Sequence, residues 1–257
     1  MKVRLDWRKT AQENASAYYG KAKELAKKEE GAKKAIEETK KQMAEAENEQ
    51  KTAASSKVAP KMKRQKEWFE KYRWFYTSGG KLVVAGRDAK QNDMLVAKTM
   101  TDTDLFFHAD IQGAPATILI GGKAATQQEK LETAQFAASH SSAWKVGAAA
   151  VDVYAVQKQQ LSKHAQGGYV GAGGFAILGE REWFRGTPLG LVIGVEDSRV
   201  VCLPAIHPGA QKLGAILSLG NFEKGSAAKK IAALLKCNTD EILLALPSGK
   251  FSIKERK

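Results

Sequence analysis

Cysteine is the scarcest reactive residue in this chain: there are two, Cys202 and Cys237, in 257 residues. That number excludes a disulfide framework or a thiolate metal cage, so each is expected to be a small buried hydrophobe. Long apolar runs are missing too. No stretch approaches the roughly 18 consecutive apolar residues of a membrane-spanning helix, and the start, MKVRLDWRKT, has no apolar segment of the secretory type. The expectation is a soluble, cytoplasmic chain with no membrane partner. The sequence also has no G-x-S-x-G elbow, H-E-x-x-H, C-x-x-C or Walker motif, so the common hydrolase and nucleoside-triphosphatase mechanisms have no anchor and no cofactor is implied.

What the chain does have is positive charge. It carries 41 Lys and Arg against 28 Asp and Glu, a formal net charge of +13, with 43% hydrophobic and 27% charged residues. That much apolar material supports a core and excludes disorder throughout. The excess is concentrated at the front, where residues 1–66 hold 18 basic and 10 acidic side chains. A basic balance of this kind favours polyanionic partners.

Two textures divide the chain. From Asn14 to about Gln50 the sequence is mostly Ala, Glu, Lys, Gln and Met, without proline, and predicts one long helix. Tyr18, Ala22, Leu25, Ala32, Ile36, Met43 and Ala46 recur on steps of four and three, the seam of a coiled coil. Glu29 and Thr39 interrupt that seam and several positions are only alanine, so the helix is expected to lean on a partner helix. Lys57–Lys66 reads as a basic strand or helix returning toward the remainder. A helical coiled-coil segment over 1–66 and an α+β domain over 67–257 follow from this division.

In the second part, Ser78-Gly79-Gly80 predicts a hairpin turn between WFYT and KLVVAG. Further strands are expected at Leu105–Ala109, Ala116–Ile120, Ala149–Val156, Gly174–Leu178, Leu189–Val195 and Val200–Pro204. Helices are expected at Asn92–Lys98, Thr126–Ser142, Gln211–Leu217 and Ser226–Leu235. Strands in consecutive pairs with inserted helices indicate an α+β fold with a mixed or antiparallel sheet.

Chemistry concentrates in Gly86-Arg87-Asp88-Ala89-Lys90-Gln91-Asn92-Asp93 and in the stretch from Asp102 to Gly113. Gln91 or Asn92 suits the cap of the following helix. The start of that helix favours an anion such as phosphate, which the planar fork of Arg87 could also grip. His108 and Asp110 stand two residues apart on one strand face, an arrangement open to metal ligation, base orientation or a mutual hydrogen bond. With Asp88 or Asp104 nearby they would complete a divalent-metal site for a nuclease or phosphohydrolase. Gly113-Ala114-Pro115 has the composition of a tight turn. The glycine-rich run Gln166–Gly174 lacks a Gly-Lys-Ser/Thr and leads into a strand, so it is not a phosphate-binding loop. Lys158 to His164, including Lys163, joins Tyr169 in a basic, stackable surface suited to looped RNA. His207 reads as a turn residue.

The order of motifs carries more than their chemistry. WFYTSGGKLVVAGRDAKQNDMLV, DLFFHADIQGAPATILI, the SSAW at Ser141–Trp144 and DVYAVQKQQLSKHAQGGYVGAGGFAILGEREWF closely resemble the RNA-binding domain of the NFACT proteins, the ribosome quality-control factors also called RqcH in prokaryotes. The front helix is similar to the second half of that family's coiled coil. The tail from about Ile206 is similar to an extension of archaeal members. The resemblance implies binding to the large ribosomal subunit with its obstructed nascent chain and to tRNA or rRNA, in support of template-free tailing whose bond-making step belongs to the ribosome. It implies a missing amino-terminal half, supplied as a separate chain or by a longer parent. Carried over by position, Arg87, Asp88, Gln91 and Asn92 match one motif and His108, Asp110 and Gly113 another. A lysine usual in the family is replaced here by Ile120, with Lys123 three residues on. Expected RNA contacts are thus Arg87, Asp88, Lys90, Gln91, Asn92, His108, Asp110, Gly113, Lys123, Lys158 and Lys163. The alternatives are the metal-dependent nuclease built on Asp88, Asp104, His108 and Asp110, and a protein-interaction scaffold acting through the coiled coil.

Overall fold

The computed structural model describes residues 4–53, 67–165 and 168–256, so the predicted return segment Lys57–Lys66 lies outside the described residues. The chain forms two compact units, residues 1–65 and 66–257.

In the first unit a helix, α1, runs over Ala11–Ala53. Thr10 opens it with a reciprocal cap, its hydroxyl accepting from Glu13 N at 3.2 Å while Glu13 Oε2 accepts from Thr10 N at 2.8 Å. Asn14 folds the preceding segment back, bridging the backbone of Asp6, Lys9 and Thr10. Exposed pairs at Glu24–Lys28 and Glu29–Lys33 line its surface. The seam residues Tyr18, Ala22, Leu25, Ala32 and Ile36 are exposed.

The second unit is α+β. Its elements are β1 (Arg73–Tyr76), β2 (Leu82–Ala85), α2 (Ala89–Met94, extended by a wider turn to Thr99), β3 (Leu105–Ala109), β4 (Thr117–Leu119), α3 (Gln127–Ser139), α4 (Ala143–Val146) and β5 (Ala150–Gln157). Four two-residue strands follow: β6 (Leu161–Ser162), β7 (His164–Ala165), β8 (Gly168–Tyr169) and β9 (Ala176–Ile177). The chain then forms β10 (Glu182–Pro188), β11 (Leu191–Glu196), β12 (Arg199–Pro204), β13 (Ala215–Glu223), α5 (Lys224–Leu235), α6 (Thr239–Ala245) and β14 (Lys250–Glu255). A six-stranded sheet has the order β1-β2-β4-β3-β5-β10 and a four-stranded one β12-β11-β13-β14. Every described pairing is antiparallel.

Strand periodicity sorts the core. Leu105, Phe107 and Ala109 of β3 face the main cluster with Phe75, Phe136 and Phe184, which continues through α3 into the second sheet. Phe106 faces a smaller cluster with Phe69, Leu95, Ile118 and Tyr154. The hairpin turn is clamped to α3: Glu129 Oε1 accepts from Thr77 Oγ1 at 2.8 Å, and Glu132 Oε2 accepts from Ser78 N at 2.9 Å. Burial works against the Glu129 carboxylate, but hydrogen bonds from Thr126, Thr77 and Lys81 outweigh it and hold its pKa below 4.5. The clamp is therefore fully formed above that pH and is lost as acid protonates the folded carboxyl.

Four sequence readings need correction. The expected helix Gln211–Leu217 is a short 3-10 turn, Pro208–Lys212, followed by β13; Leu213, Ala215, Leu217 and Leu219 recur with period two, and pairing with β11 and β14 decides the matter. The cap of α2 is Asp88, accepting from Gln91 N at 2.8 Å, rather than Gln91 or Asn92. The strand expected at Gly174–Leu178 shrinks to Ala176–Ile177. Cys202 is buried, whereas Cys237 is only partly so. His207 is a turn residue as expected, its Nδ1 accepting from Gly209 N at 2.9 Å.

Candidate nucleic-acid interface

Where β2 ends, the chain turns at Gly86 into Asp88 and α2; where β3 ends, it turns through Gln112 and Gly113; where α3 ends, it turns through His140 to Ser142. These three loops share one end of the six-stranded sheet. With Val170–Gly174 they enclose a groove of about 600 Å³, also lined by Arg73, His108 and Lys145. The motifs that are scattered along the sequence thus meet in one concavity of nucleotide-binding size.

The Arg87 guanidinium donates from Nη2 to Tyr72 O at 3.0 Å, and Arg73 Nη1 donates to Gly86 O at 2.9 Å. In both, Nε is buried without a hydrogen-bond partner among the described residues. Burial, with Arg87 nearby, lowers Arg73 to about 10, and burial lowers Arg87 as well. Burial also holds His108 below its ordinary value, while the backbone at Ala109 and Ala114 and the Asp110 charge pull the other way. Its ring stacks parallel to Phe106 at 6.1 Å and lies 5.8 Å from Tyr154. At neutral pH His108 is a neutral aromatic surface rather than a cation.

Several expected contacts are fixed to the fold. Asn92 is buried, its Oδ1 accepting from Ala116 N at 3.2 Å, and Gln91 Oε1 accepts from Arg87 N at 3.1 Å. These two shape the loop that presents Arg87. Gly113 adopts φ +83° at the groove wall, a conformation that favours glycine. Lys163 pairs with Asp93 and donates to Gly174 O at 2.7 Å, while Asp93 also accepts from Gly173 N at 3.1 Å. This peg ties the glycine-rich wall to α2.

Other residues are not brought to the groove. Lys90 is exposed on α2, and Asp110 is exposed just past β3; neither lines the groove. Lys123 lies on the turn beside Thr103, at the opposite end of β3 from His108. Lys158 donates to Met100 O at 2.6 Å, also near that far end, where Gln157 pairs with Leu105. Ile120 packs on the smaller core cluster, so its apolar side chain suits its surroundings. The basic surface read from Lys158 to Tyr169 reduces to the β7–β8 hairpin, where the His164 and Tyr169 rings meet edge-on at 5.7 Å and Tyr169 is exposed.

The metal-centred alternative does not assemble. Asp104 accepts from Thr101 N and Gly121 N at the far end of β3, and Asp88 is engaged in capping α2. Among the described residues no group of three His, Cys, Asp or Glu side chains is placed to hold a metal ion. No helix among the described residues is long and apolar enough to cross a membrane.

Arg73, His140 and Lys145 were missed from the sequence. Arg73 is hidden in an aromatic strand, and His140 and Lys145 flank the SSAW motif without a pattern of their own.

Comparison with known proteins agrees with the motif order. The family model described as the NFACT protein RNA binding domain matches residues 71–179. The archaeal Rqc2 homolog aRqcH of Methanocaldococcus jannaschii is 40% identical over 212 residues, 79% of this chain and 31% of that protein. The ribosome quality control complex subunit NEMF homolog of Drosophila melanogaster is 32% identical over 76% of this chain and 20% of its own length. The human ribosome quality control complex subunit NEMF is 31% identical over 66% of this chain and 16% of its own length. The chain therefore spans less than a third of each of these relatives.

Proposed function

The chain belongs to the NFACT family, of which it carries the RNA-binding domain, and from that premise we propose that it is an RNA-binding component of ribosome-associated quality control. In this reading it binds tRNA or ribosomal RNA on a large subunit that carries an obstructed nascent chain, in the cytoplasm, and supports template-free tailing without making bonds itself. The Drosophila and human relatives are named as ribosome quality control complex subunits, which is what recommends this setting.

One observation carries the reading: the family's motifs converge on a single groove with Arg73, Arg87 and Lys145 at its wall. Cations held in a groove grip phosphate, and phosphate contacts position RNA without reading its sequence. That suits a factor that must accept any stalled message. Arg87→Ala is expected to weaken tRNA binding about tenfold at low salt, the scale of one charge-assisted hydrogen bond, and to flatten the salt dependence. The check is fluorescence anisotropy across a salt titration, with circular dichroism to show that the fold is kept. An unchanged titration would remove Arg87 from the interface.

A further role rests on α1. Its seam residues Tyr18, Leu25 and Ile36 are 44%, 55% and 55% exposed, the surface of half a coiled coil, so this helix is the part suited to reach a protein partner on the same ribosome.

A further inference from the structure

The groove wall carries Arg73, Arg87 and Lys145, and a further cation stands in the hollow next to it. Lys224, the first residue of α5, lines a hollow that shares Lys145 and Ser248 with the groove. Burial lowers its pKa, and the Arg73 and Arg87 charges lower it further, so the three cations act on one another. Lys224 belongs neither to the matched segment 71–179 nor to any motif read from the sequence.

Buried cations normally face carboxylates, because desolvation without compensation is expensive. Here the countercharges are elsewhere. Glu223, the neighbour of Lys224, pairs with Lys250 at 3.0 Å. Asp88 is the carboxylate that acts on Arg73, and the nearby Cys202 thiol, pushed up to about 12 by burial, stays neutral at physiological pH. Three cations against Asp88 leave about two positive charges unbalanced among the described residues.

A second observation points the same way. His140 lines the groove, is 4% exposed, and has neither ring nitrogen hydrogen-bonded among the described residues. Buried polar groups are almost always partnered, so a buried imidazole in a groove wall with both nitrogens free is a site short of a ligand. Burial first, then Arg73, Lys224 and Arg87, keep this histidine well below its ordinary pKa. A neutral imidazole can donate one hydrogen bond to an anionic oxygen.

We propose that Arg73, Arg87, Lys224 and His140 form a receptacle for two negative charges of RNA phosphate, supplied by a terminal phosphomonoester or by two neighbouring phosphodiesters. A phosphomonoester carries about −1.5 to −2 at neutral pH, and two diesters carry the same total. This rests on the RNA-binding reading above and makes it specific: the strand is anchored by phosphate where the groove meets the adjoining hollow, and Lys224 of α5 takes part.

The test uses the full chain, a short single-stranded oligoribonucleotide with either a 5′-phosphate or a 5′-hydroxyl, and pyrophosphate as competitor. Pyrophosphate is expected to displace the RNA and to raise the unfolding temperature of the parent chain. Lys224→Gln is expected to weaken both ligands about tenfold, and Lys224→Arg to restore them. Lys224 is only partly buried at a helix start, so both variants are expected to fold, which the unfolding temperature reports. Tighter binding of the 5′-phosphate form, abolished in Lys224→Gln, would assign the receptacle to a strand end; equal binding of the two forms, weakened together, would assign it to neighbouring diesters. If RNA binds but pyrophosphate neither displaces it nor stabilises the chain, and Lys224→Gln binds as the parent does, the receptacle is overturned while the RNA-binding reading stands. If the parent chain binds no RNA, both fall.

Discussion

An Arg73→Gln, Arg87→Gln double variant is expected to lose about a hundredfold in RNA affinity at low salt, because each guanidinium contributes a charge-assisted contact on the scale of tenfold or more. The slope of log affinity against log salt should fall by about 0.7 for each phosphate of single-stranded RNA that is no longer neutralised. The same variant is expected to unfold at a temperature no lower than the parent. Arg73 and Arg87 are like charges held together away from water, so their removal relieves a repulsion that offsets the backbone hydrogen bonds they make to Gly86 and Tyr72. Anisotropy and thermal unfolding on the same preparation check both halves. A variant that keeps its affinity, or that loses its fold along with it, would contradict the assignment of these arginines to binding.

Gly86→Ala is expected to be among the most destabilising small substitutions in the domain, at about 2–4 kcal/mol. A Cβ there would sit 2.0 Å from Asn92 Oδ1 and 3.0 Å from Asn92 N. The Asn92 side chain would have to leave, and its Oδ1 is the acceptor for the buried Ala116 N–H. The loop that presents Arg87 and Asp88 would move with it, so RNA binding should fall as well. Urea denaturation measures the stability change. Because the clash and the broken hydrogen bond share Asn92, Gly86→Ala combined with Asn92→Ala should cost less than the sum of the two single changes. Strict additivity would mean that the close approach at Gly86 is not what Asn92 constrains.

Much of the framework could be read from the sequence because local pattern and tertiary demand agree there. Leu105–Ala109 was legible as a strand from its length and apolar run, and Ser78-Gly79-Gly80 as a turn from its glycines. The helix expected over Thr126–Ser142 was legible from its composition, and the structure makes Thr126 its cap. The misreadings occur where a local signal was ambiguous. KLGAILSL supports either period until its pairing partners, β11 and β14, are known. Asp88 and Asn92 are both good N-cap residue types, and only the backbone fixes which one does.

The site was legible in its motifs and illegible in its floor. Arg87, Asp88, Asn92, His108 and Gly113 line the groove as a group. Lys123 was drawn in by the family resemblance and Lys158 by charge, and neither says which end of β3 a lysine occupies. Arg73 and His140 carry no spacing that links them; strand pairing and the end of α3 bring them to the groove. Charge composition indicated a polyanion, but where that charge lies unbalanced is a property of the fold.

The central claim is that RNA lies in the groove where the motif loops meet. Its most direct measurement is ultraviolet crosslinking of the chain to tRNA followed by mass spectrometry of the crosslinked peptides. The expected result is crosslinks within 86–92, 108–115, 140–145 and 170–174, all suppressed by Arg87→Ala. Crosslinks confined to α1 or to the far end of β3 around Lys123 and Lys158, with none in the four groove segments, would contradict it.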